Sequence, residues 1–363
     1  MTIDGPAGRN LSGGLLFLRR FLLAALALWA SCASIALAND EEADAPYYGR
    51  AVAFAQPGSV WHQQWMHFKA NVDEAPDLDI AYYIHGELGG EEQMLHDLRR
   101  GRAHIGGMAL QGLASTVPEL TIAMAPFLFD ETEEVDFIYD EYLFDFFNEL
   151  FAEKGLRILQ WVEVGWTNIY TNGGKPILTP ADAAGRKLRG SPNISAQYFL
   201  DAVDADMIPL SSADLVPALQ TGLVQGGLSS TVFHFFVTRR YSTDLTLTRH
   251  SYDTGAIVVN KDWYDATTPA QRETLSNAWM SSAEARAGVR DLVAFALMEM
   301  EKEGIVIHTL TPEVRAEWKA ATADKVARRM IAKVGGRAEE TYARILEGKR
   351  AYAAMTSQTA MRD

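Results

Sequence analysis

Cysteine is almost missing from this 363-residue chain: Cys32 is the only one. It lies inside an apparent leader, so the chain beyond that leader has none. Disulfides, thiol nucleophiles and thiolate metal sites are therefore excluded there. Long apolar runs are also missing, since none outside the leader reaches the length of a membrane span. Positive charge is in deficit, with 33 Lys and Arg against 47 Asp and Glu, a formal charge of −14. Residues 1–38 contribute +2 (Arg9, Arg19 and Arg20 against Asp4), which leaves −16 on residues 39–363. An acidic surface of that size excludes nucleic acid as a partner and favours solubility. No Gly-x-Ser-x-Gly elbow is present. The glycines between Gly86 and Gly90 lack the Lys-Ser/Thr ending of a phosphate loop. His62 and His67 are five apart, a poor ligand spacing on one helix, and His85 and His104 are isolated. No metal site and no cofactor is expected. There is no internal repeat and no low-complexity tract.

What is present begins with an export signal over residues 1–38. Three arginines precede the apolar run 21–29, which is too short to anchor, and Ala36-Leu37-Ala38 offers a small-x-small cleavage site before Asn39. A lipoprotein signal using Cys32 is the alternative, but Trp29 fits its aliphatic position poorly. The expected location is the periplasm, where a cysteine-free chain depends on its apolar core.

Beyond the leader the pattern alternates strand and helix. Residues 50–55 read as a strand, and Gln56-Pro57-Gly58-Ser59 as a turn. A helix follows with Ser59 as N-cap and Trp61, Trp65, Phe68 and Val72 on one face. Residues 78–84 read as a strand, 91–100 as a helix and 103–108 as a strand. This order predicts a largely parallel sheet covered by helices. An aromatic-rich helix is expected over 131–154, closed by Gly155, then strands over 157–164 and 167–171, with a crossing into a second lobe near Gly165. Helices are expected near 195–203 and over 211–222, where Pro217 should kink the second. A strand over 255–260 returns to the first lobe, and the rest from Pro269 is mostly helical. The fold class is α/β: two lobes joined by crossing hinge strands, with long C-terminal helices. The expected division is 39–164 plus about 250–290 for lobe I, 165–249 plus about 291–335 for lobe II, and a helical tail over 336–363. Ligands in such folds lie where the carboxyl ends of strands converge.

Within that layout Arg189 is the strongest candidate. It ends a short strand, 187–189, just before the Ser191-Pro192 start expected for the next helix. A guanidinium presents a flat fork of donors that matches a carboxylate, and helix N-terminal amides add positive potential. The alternative is an arginine in a surface ion pair.

The chain resembles the DctP-type solute-binding proteins of TRAP (tripartite ATP-independent periplasmic) transporters. The residues that carry the resemblance are the Gly86-Glu87-Leu88-Gly89 to Gly101 stretch, Pro126-Phe127, Lys175-Pro176-Ile177, and Asp182 with Gly185-Arg186-Lys187-Leu188-Arg189. Ala218-Leu219-Gln220-Thr221-Gly222-Leu223-Val224 and Val259-Asn260-Lys261-Asp262-Trp263 complete the series. The similarity spans roughly residues 50–330, and its order and spacing are more specific than any one motif. It implies a periplasmic protein that captures a small organic acid, a carboxylate, and delivers it to the membrane subunits of a TRAP permease. It also implies that Arg189 pairs with the ligand carboxylate.

Departures from the family pattern bear on the ligand. Gln225-Gly226-Gly227-Leu228 stands where members that bind a metal tend to have an acidic residue and an aromatic, which argues against metal assistance. The stretch Gly165-Trp166-Thr167-Asn168 lacks the second arginine of members that bind sialic acid. Trp166 is either a stacking wall or a hinge packing residue. Phe233-His234-Phe235-Phe236 is more aromatic than is usual and, with Trp166, points to a ligand with an apolar or ring part. Loop position adds Gln56, Ser59, Glu87, Met108 and Phe127 from the first lobe and its hinge, and Asn193, Ser211, Ser229 and Phe233 from the second. Glu87 would repel a carboxylate unless it meets a hydroxyl, amine or cation, and capping the next helix is its alternative role. No catalytic residue is assigned and no enzymatic activity is expected. A ligand-sensing subunit of a membrane receptor and a secreted enzyme acting on an organic acid remain the alternative readings.

Overall fold

The computed structural model describes residues 47–360. The export signal, its cleavage point after Ala38 and Cys32 lie outside the described residues. Nine strands form one sheet: β1 (Tyr47–Ala53), β2 (Leu78–Tyr83), β3 (Ile105–Ala109), β4 (Leu156–Thr171), β5 (Lys187–Gly190), β6 (Asp206–Pro209), β7 (Gly226–Ser230), β8 (Asp244–Asn260) and β9 (Val306–Thr309). Their order is β2-β1-β3-β8-β4-β7-β5-β6, with β9 paired to β8.

The first lobe follows the predicted alternation. Helix α1 (Val60–Val72) is capped by Ser59, whose hydroxyl accepts from the His62 amide at 3.1 Å. Its buried face is Gln64, Trp65, Phe68 and Val72. Trp61 turns aside and donates its indole N–H to the Glu163 carbonyl at 2.9 Å, tying the start of α1 to β4. Helix α2 (Glu91–Arg99) buries Met94, Leu95 and Leu98. β1 and β3 pair in parallel.

The centre departs from a parallel sheet. β4 and β8, 16 and 17 residues long, run antiparallel through most of their length. β3 joins the carboxyl-terminal part of β8 through Gly255–Val259, while β9 joins its start through Asp244–Leu247. β7 pairs with the far half of β4, from Thr167 to Thr171. The two long strands therefore cross together from one lobe to the other. The pairing of β4 with β8 shifts register between Ile158 and Gln160, between Glu163 and Gly165, and between Thr167 and Ile169. Bulges bend a strand and sharpen its twist. Gly165 takes φ +100°, a conformation that favours glycine. The returning strand starts at Asp244, eleven residues before the 255–260 expectation.

The expected 131–154 helix is broken by a π-helical stretch, Tyr139–Leu143, between the helices Thr132–Ile138 and Phe144–Ala152. Its aromatics are core as expected: Phe146, Phe147 and Phe151 belong to the main apolar cluster of the first lobe.

In the second lobe, helix α3 (Ile194–Asp201) begins at Ile194, capped by Asn193 rather than by Ser191-Pro192. Helix α4 (Ser212–Gln220) carries Pro217 inside it. Helix α5 (Ser282–Lys302) spans the molecule. Arg286 and Arg290 near its start reach Asp136, Asp140 and Glu163, and Ala296 and Met300 near its end join a core cluster of the second lobe. Helix α6 (Pro312–Val334) buries Trp318 in the second lobe and Val326 and Met330 in the first. Helix α7 (Ala338–Ala360) packs closely on the first lobe: Ile345 is fully buried, and a Cβ on Gly348 would meet Ile138 at 2.8 Å.

Candidate functional site

Arg189 lies on β5, flanked by Leu188 and Gly190, and only 5% of its surface is exposed. Its Nε donates to the Leu210 carbonyl at 3.2 Å and its Nη1 to the Leu228 carbonyl at 3.4 Å. These bonds hold the side chain between Leu210, just past the end of β6, and Leu228 in the middle of β7. Among the described residues it has no ion pair, so the surface ion-pair alternative does not hold. Nη2 has no protein partner and is not sealed from solvent. A buried cation with an open donor is costly unless something compensates it. Burial pulls the Arg189 pKa below its ordinary value, and the attraction of Tyr170 and Asp253 offsets only part of that.

The glycines that looked like a departure bearing on the ligand have a packing reason. Gly226 sits at φ +152°, where a Cβ would meet the Tyr170 carbonyl at 2.1 Å. A Cβ on Gly227 would lie 2.7 Å from the Arg189 carbonyl and 3.1 Å from the Tyr170 hydroxyl. β7 is squeezed between β4 and β5, and only glycine fits. The Tyr170 hydroxyl is buried there without a hydrogen-bond partner.

Asp253 is the residue that sequence reading missed. It stands on β8 opposite Gly165, at the crossing of the two long strands. Thr167 Oγ1 donates to its Oδ2 at 2.8 Å. Oδ1 has no protein partner and retains contact with solvent. Burial pushes its carboxyl up to about 6, against the pull of Thr167 and Arg189. The residue is partly buried, so the side chain keeps some contact with solvent. An acid in mid-strand is its only sequence signal, and residues 244–254 show no apolar alternation to reveal the strand.

The other candidates divide by location. Ser211 and Ser229 lie beside Arg189: Ser211 directly follows Leu210, and Ser229 follows Leu228 on β7. Ser211 caps α4, bonding Asp214 at 2.6 Å, and Ser229 donates to the Ser230 carbonyl. Asn193 accepts from the Ala196 amide and borders a surface hollow of about 530 Å³ with Met207 and Pro209. Phe233 packs in a second-lobe core cluster.

At the crossing, Trp166 donates to Thr132 Oγ1, meets Tyr252 edge to face at 4.8 Å, and carries the Arg249 guanidinium 5.2 Å over its ring. Those contacts are hinge packing. Phe127 holds φ +54°, a strained conformation for a bulky residue, with its N–H on the His250 carbonyl at 2.6 Å. Its side chain enters a second-lobe core cluster.

In the first lobe Gln56 is exposed, and Ser59 is buried as the α1 cap. Glu87 is exposed and accepts from the His85 amide at 2.8 Å. It closes its own loop, while Gly90 is the N-cap of α2. Met108 is buried in the first-lobe core beside Leu98 and Gly106. The β3 end is held by Glu91, whose carboxylate accepts from the Ala109 amide at 2.9 Å. His104 is structural, accepting from the Arg50 amide at 2.8 Å.

A charge network braces the hinge. Arg290 bonds Glu163 at 2.9 Å and Asp136 at 2.6 Å, while Arg286 bonds Asp140. Glu163 is buried, and burial raises its pKa against the pull of Arg290, with a smaller push from the like charge of Asp136. Among the described residues no group of three or more His, Cys, Asp or Glu is placed to hold a metal ion, and no helix is long and apolar enough to cross a membrane.

Two α/β lobes on crossing strands, with a buried, open-sided arginine at the strand ends, define a hinged solute-binding protein. The family model "bacterial extracellular solute-binding protein, family 7", DctP, matches residues 51–333, and the chain belongs to that family. The 2,3-diketo-L-gulonate-binding periplasmic protein of Escherichia coli is 29% identical over 60% of this chain and 66% of its own length. The ectoine/5-hydroxyectoine-binding periplasmic protein of Ruegeria pomeroyi is 26% identical over 82% of this chain and 89% of its own. The fold matches a TRAP periplasmic solute-binding protein from Ochrobactrum anthropi with a TM-score of 0.76, at 23% identity, covering 87% of this chain and 98% of that one.

Proposed function

We propose that this protein captures a small organic acid between its lobes, holds the carboxylate on Arg189, and hands it unchanged to the membrane subunits of a TRAP-type permease. The observation that carries this is the Arg189 guanidinium, buried, without an ion pair, and with Nη2 open to solvent. A carboxylate arriving there supplies the missing counter-charge through a charge-assisted hydrogen bond.

Lobe I takes residues 39–164 and about 250–290, lobe II 165–249 and about 291–335, with 336–363 as a C-terminal helical segment. Ser211, Ser229 and Asn193 flank Arg189, Phe233 lies behind them, and Trp166 and Phe127 shape the hinge. Gln56, Ser59 and Glu87 approach from the first lobe, with Met108 behind them. The relatives' names support acids and zwitterions as ligands: 2,3-diketo-L-gulonate in one and ectoine in another. Those relatives are binding proteins, which supports a role without catalysis. The leader 1–38, cleaved after Ala38, delivers the chain to the periplasm.

The test is a thermal-shift screen against organic acids followed by calorimetry on wild type and Arg189→Ala. A ligand at 100 times its Kd adds about 2.7 kcal/mol of stability. Removing the arginine is expected to cost about 2–5 kcal/mol of binding. An Arg189→Ala protein that keeps near-native affinity refutes the assignment.

A further inference from the structure

We propose that Asp253 is a second recognition group of this site and that the ligand is an acid carrying a hydrogen-bond donor, a hydroxyl or an ammonium group, in place of a second carboxylate. The inference rests on the reading of Arg189 as the carboxylate anchor and goes on to name the class of acid.

The argument starts from which atoms are left open. Thr167 satisfies Oδ2 of Asp253 at 2.8 Å, while Oδ1 has no protein partner and touches solvent. On Arg189 the matching open atom is Nη2. Asp253 is enclosed by protein, has no ion pair among the described residues, and keeps one oxygen free to accept a hydrogen bond. It and Arg189 lie beyond ion-pair distance, yet near enough for each to act on the other's charge. The site is therefore bipolar, with one open donor and one open acceptor separated by a gap.

Its surroundings leave room for a ligand. Asp253 pairs across the sheet with Gly165, and nothing lies within 4 Å of where a Cβ on Gly165 would stand. On the other side of β4, Thr167 is in register with Ser230 on β7. β8 and β5 are separated by β4 and β7, about 14 Å at a strand spacing of about 4.8 Å, and across that span the Asp253 and Arg189 charges still act on each other. A dicarboxylate bound to Arg189 would set its other carboxylate towards Asp253, and like charges brought together repel. A hydroxyl or ammonium group at that place would donate to Oδ1 instead. Selection then works by repulsion of the wrong ligand as well as attraction of the right one.

The experiment uses two matched sets of acids, titrated calorimetrically at pH 7.5 into wild type, Asp253→Asn and Arg189→Ala. One set is butyrate, 3-hydroxybutyrate, 4-aminobutyrate and succinate. The other is hexanoate, gluconate, 6-aminohexanoate and adipate. In at least one set the wild type is expected to bind a hydroxy or amino acid at least about tenfold tighter than the dicarboxylate, a difference of about 1.4 kcal/mol. Asp253→Asn is expected to bring that ratio to within about threefold. Acids that bind only with Arg189 present, but with the dicarboxylate preferred or with a ratio unchanged in Asp253→Asn, overturn the role of Asp253 and leave the carboxylate anchor standing. Binding that survives Arg189→Ala, or no binding of any acid to wild type, overturns the anchor itself. If Asp253→Asn does not fold, the wild-type ranking within each set decides.

Discussion

Replacing Asp253 with asparagine should stabilise the ligand-free protein at neutral pH and leave it unchanged in acid. Burial pushes the Asp253 carboxyl up to about 6 from 3.8, even though Thr167 and Arg189 favour its ionised form. An acid whose pKa is raised by folding holds its proton in the native state while the unfolded chain has already released it. Stability therefore falls as pH rises from about 4 to about 6, and the whole penalty is present above that window. A shift of that size corresponds to about 3 kcal/mol. Asp253 is only partly buried, so a realistic share is about 1–2 kcal/mol. Asparagine keeps an acceptor for the Thr167 hydroxyl and removes the charge. The assay is urea unfolding of wild type and variant at pH 4.5 and 7.5, where the other carboxylates contribute equally to both proteins and cancel in the difference. We expect a gain of about 1–2 kcal/mol at pH 7.5 and close to none at pH 4.5. A variant less stable at pH 7.5, or a difference that ignores pH, refutes the reasoning. Such a gain would also mark Asp253 as a group kept at a cost to the fold, as binding sites commonly are.

Arg290→Met leaves Glu163 without its ion-pair partner and Asp136 with Arg286 alone. Arg290 is partly exposed, so the expected loss is about 2 kcal/mol, and urea midpoints should show a larger loss at pH 8 than at pH 5 because Glu163 ionises late. Gly227→Ala forces a methyl group within 2.7 Å of the Arg189 carbonyl. It should cost about 1–3 kcal/mol in thermal unfolding and weaken acid binding through the displaced β5. Phe127→Ala empties a buried ring from a second-lobe core cluster and should cost about 3 kcal/mol by the same measurement, since relief of its backbone strain recovers only part of the packing lost.

The parts of the fold with regular apolar spacing were legible in the sequence. The Ser59 cap and the Trp65, Phe68 and Val72 face of α1 follow from local rules, and so does the early strand-helix alternation. What escaped was polar sequence made regular by its neighbours. Residues 244–254 carry Thr, Arg, His, Ser and Asp and show no apolar alternation, yet they form most of β8. Polar groups there are met across the strands: Asn168 accepts from the Arg249 amide at 3.0 Å, and Thr167 donates to Asp253 at 2.8 Å. Partners on β4 are invisible from β8 alone.

The site was half legible for the same reason. Arg189 stood out because it ends a short strand beside Leu188 and a glycine, where a charge has no local use. Asp253 is the same kind of residue, an ionisable group inside a strand, but its strand had not been assigned. Other predicted contacts turned out to hold the backbone: Ser59, Asn193 and Ser211 cap helices, and Glu87 closes its own loop. Ser, Asn and Glu at loop ends serve the chain first, because helix ends and turns need side-chain partners there. An open Nη2 and an open Oδ1 have no such use. In this molecule the groups most able to meet a ligand are the strand-borne charges whose partners the chain does not supply.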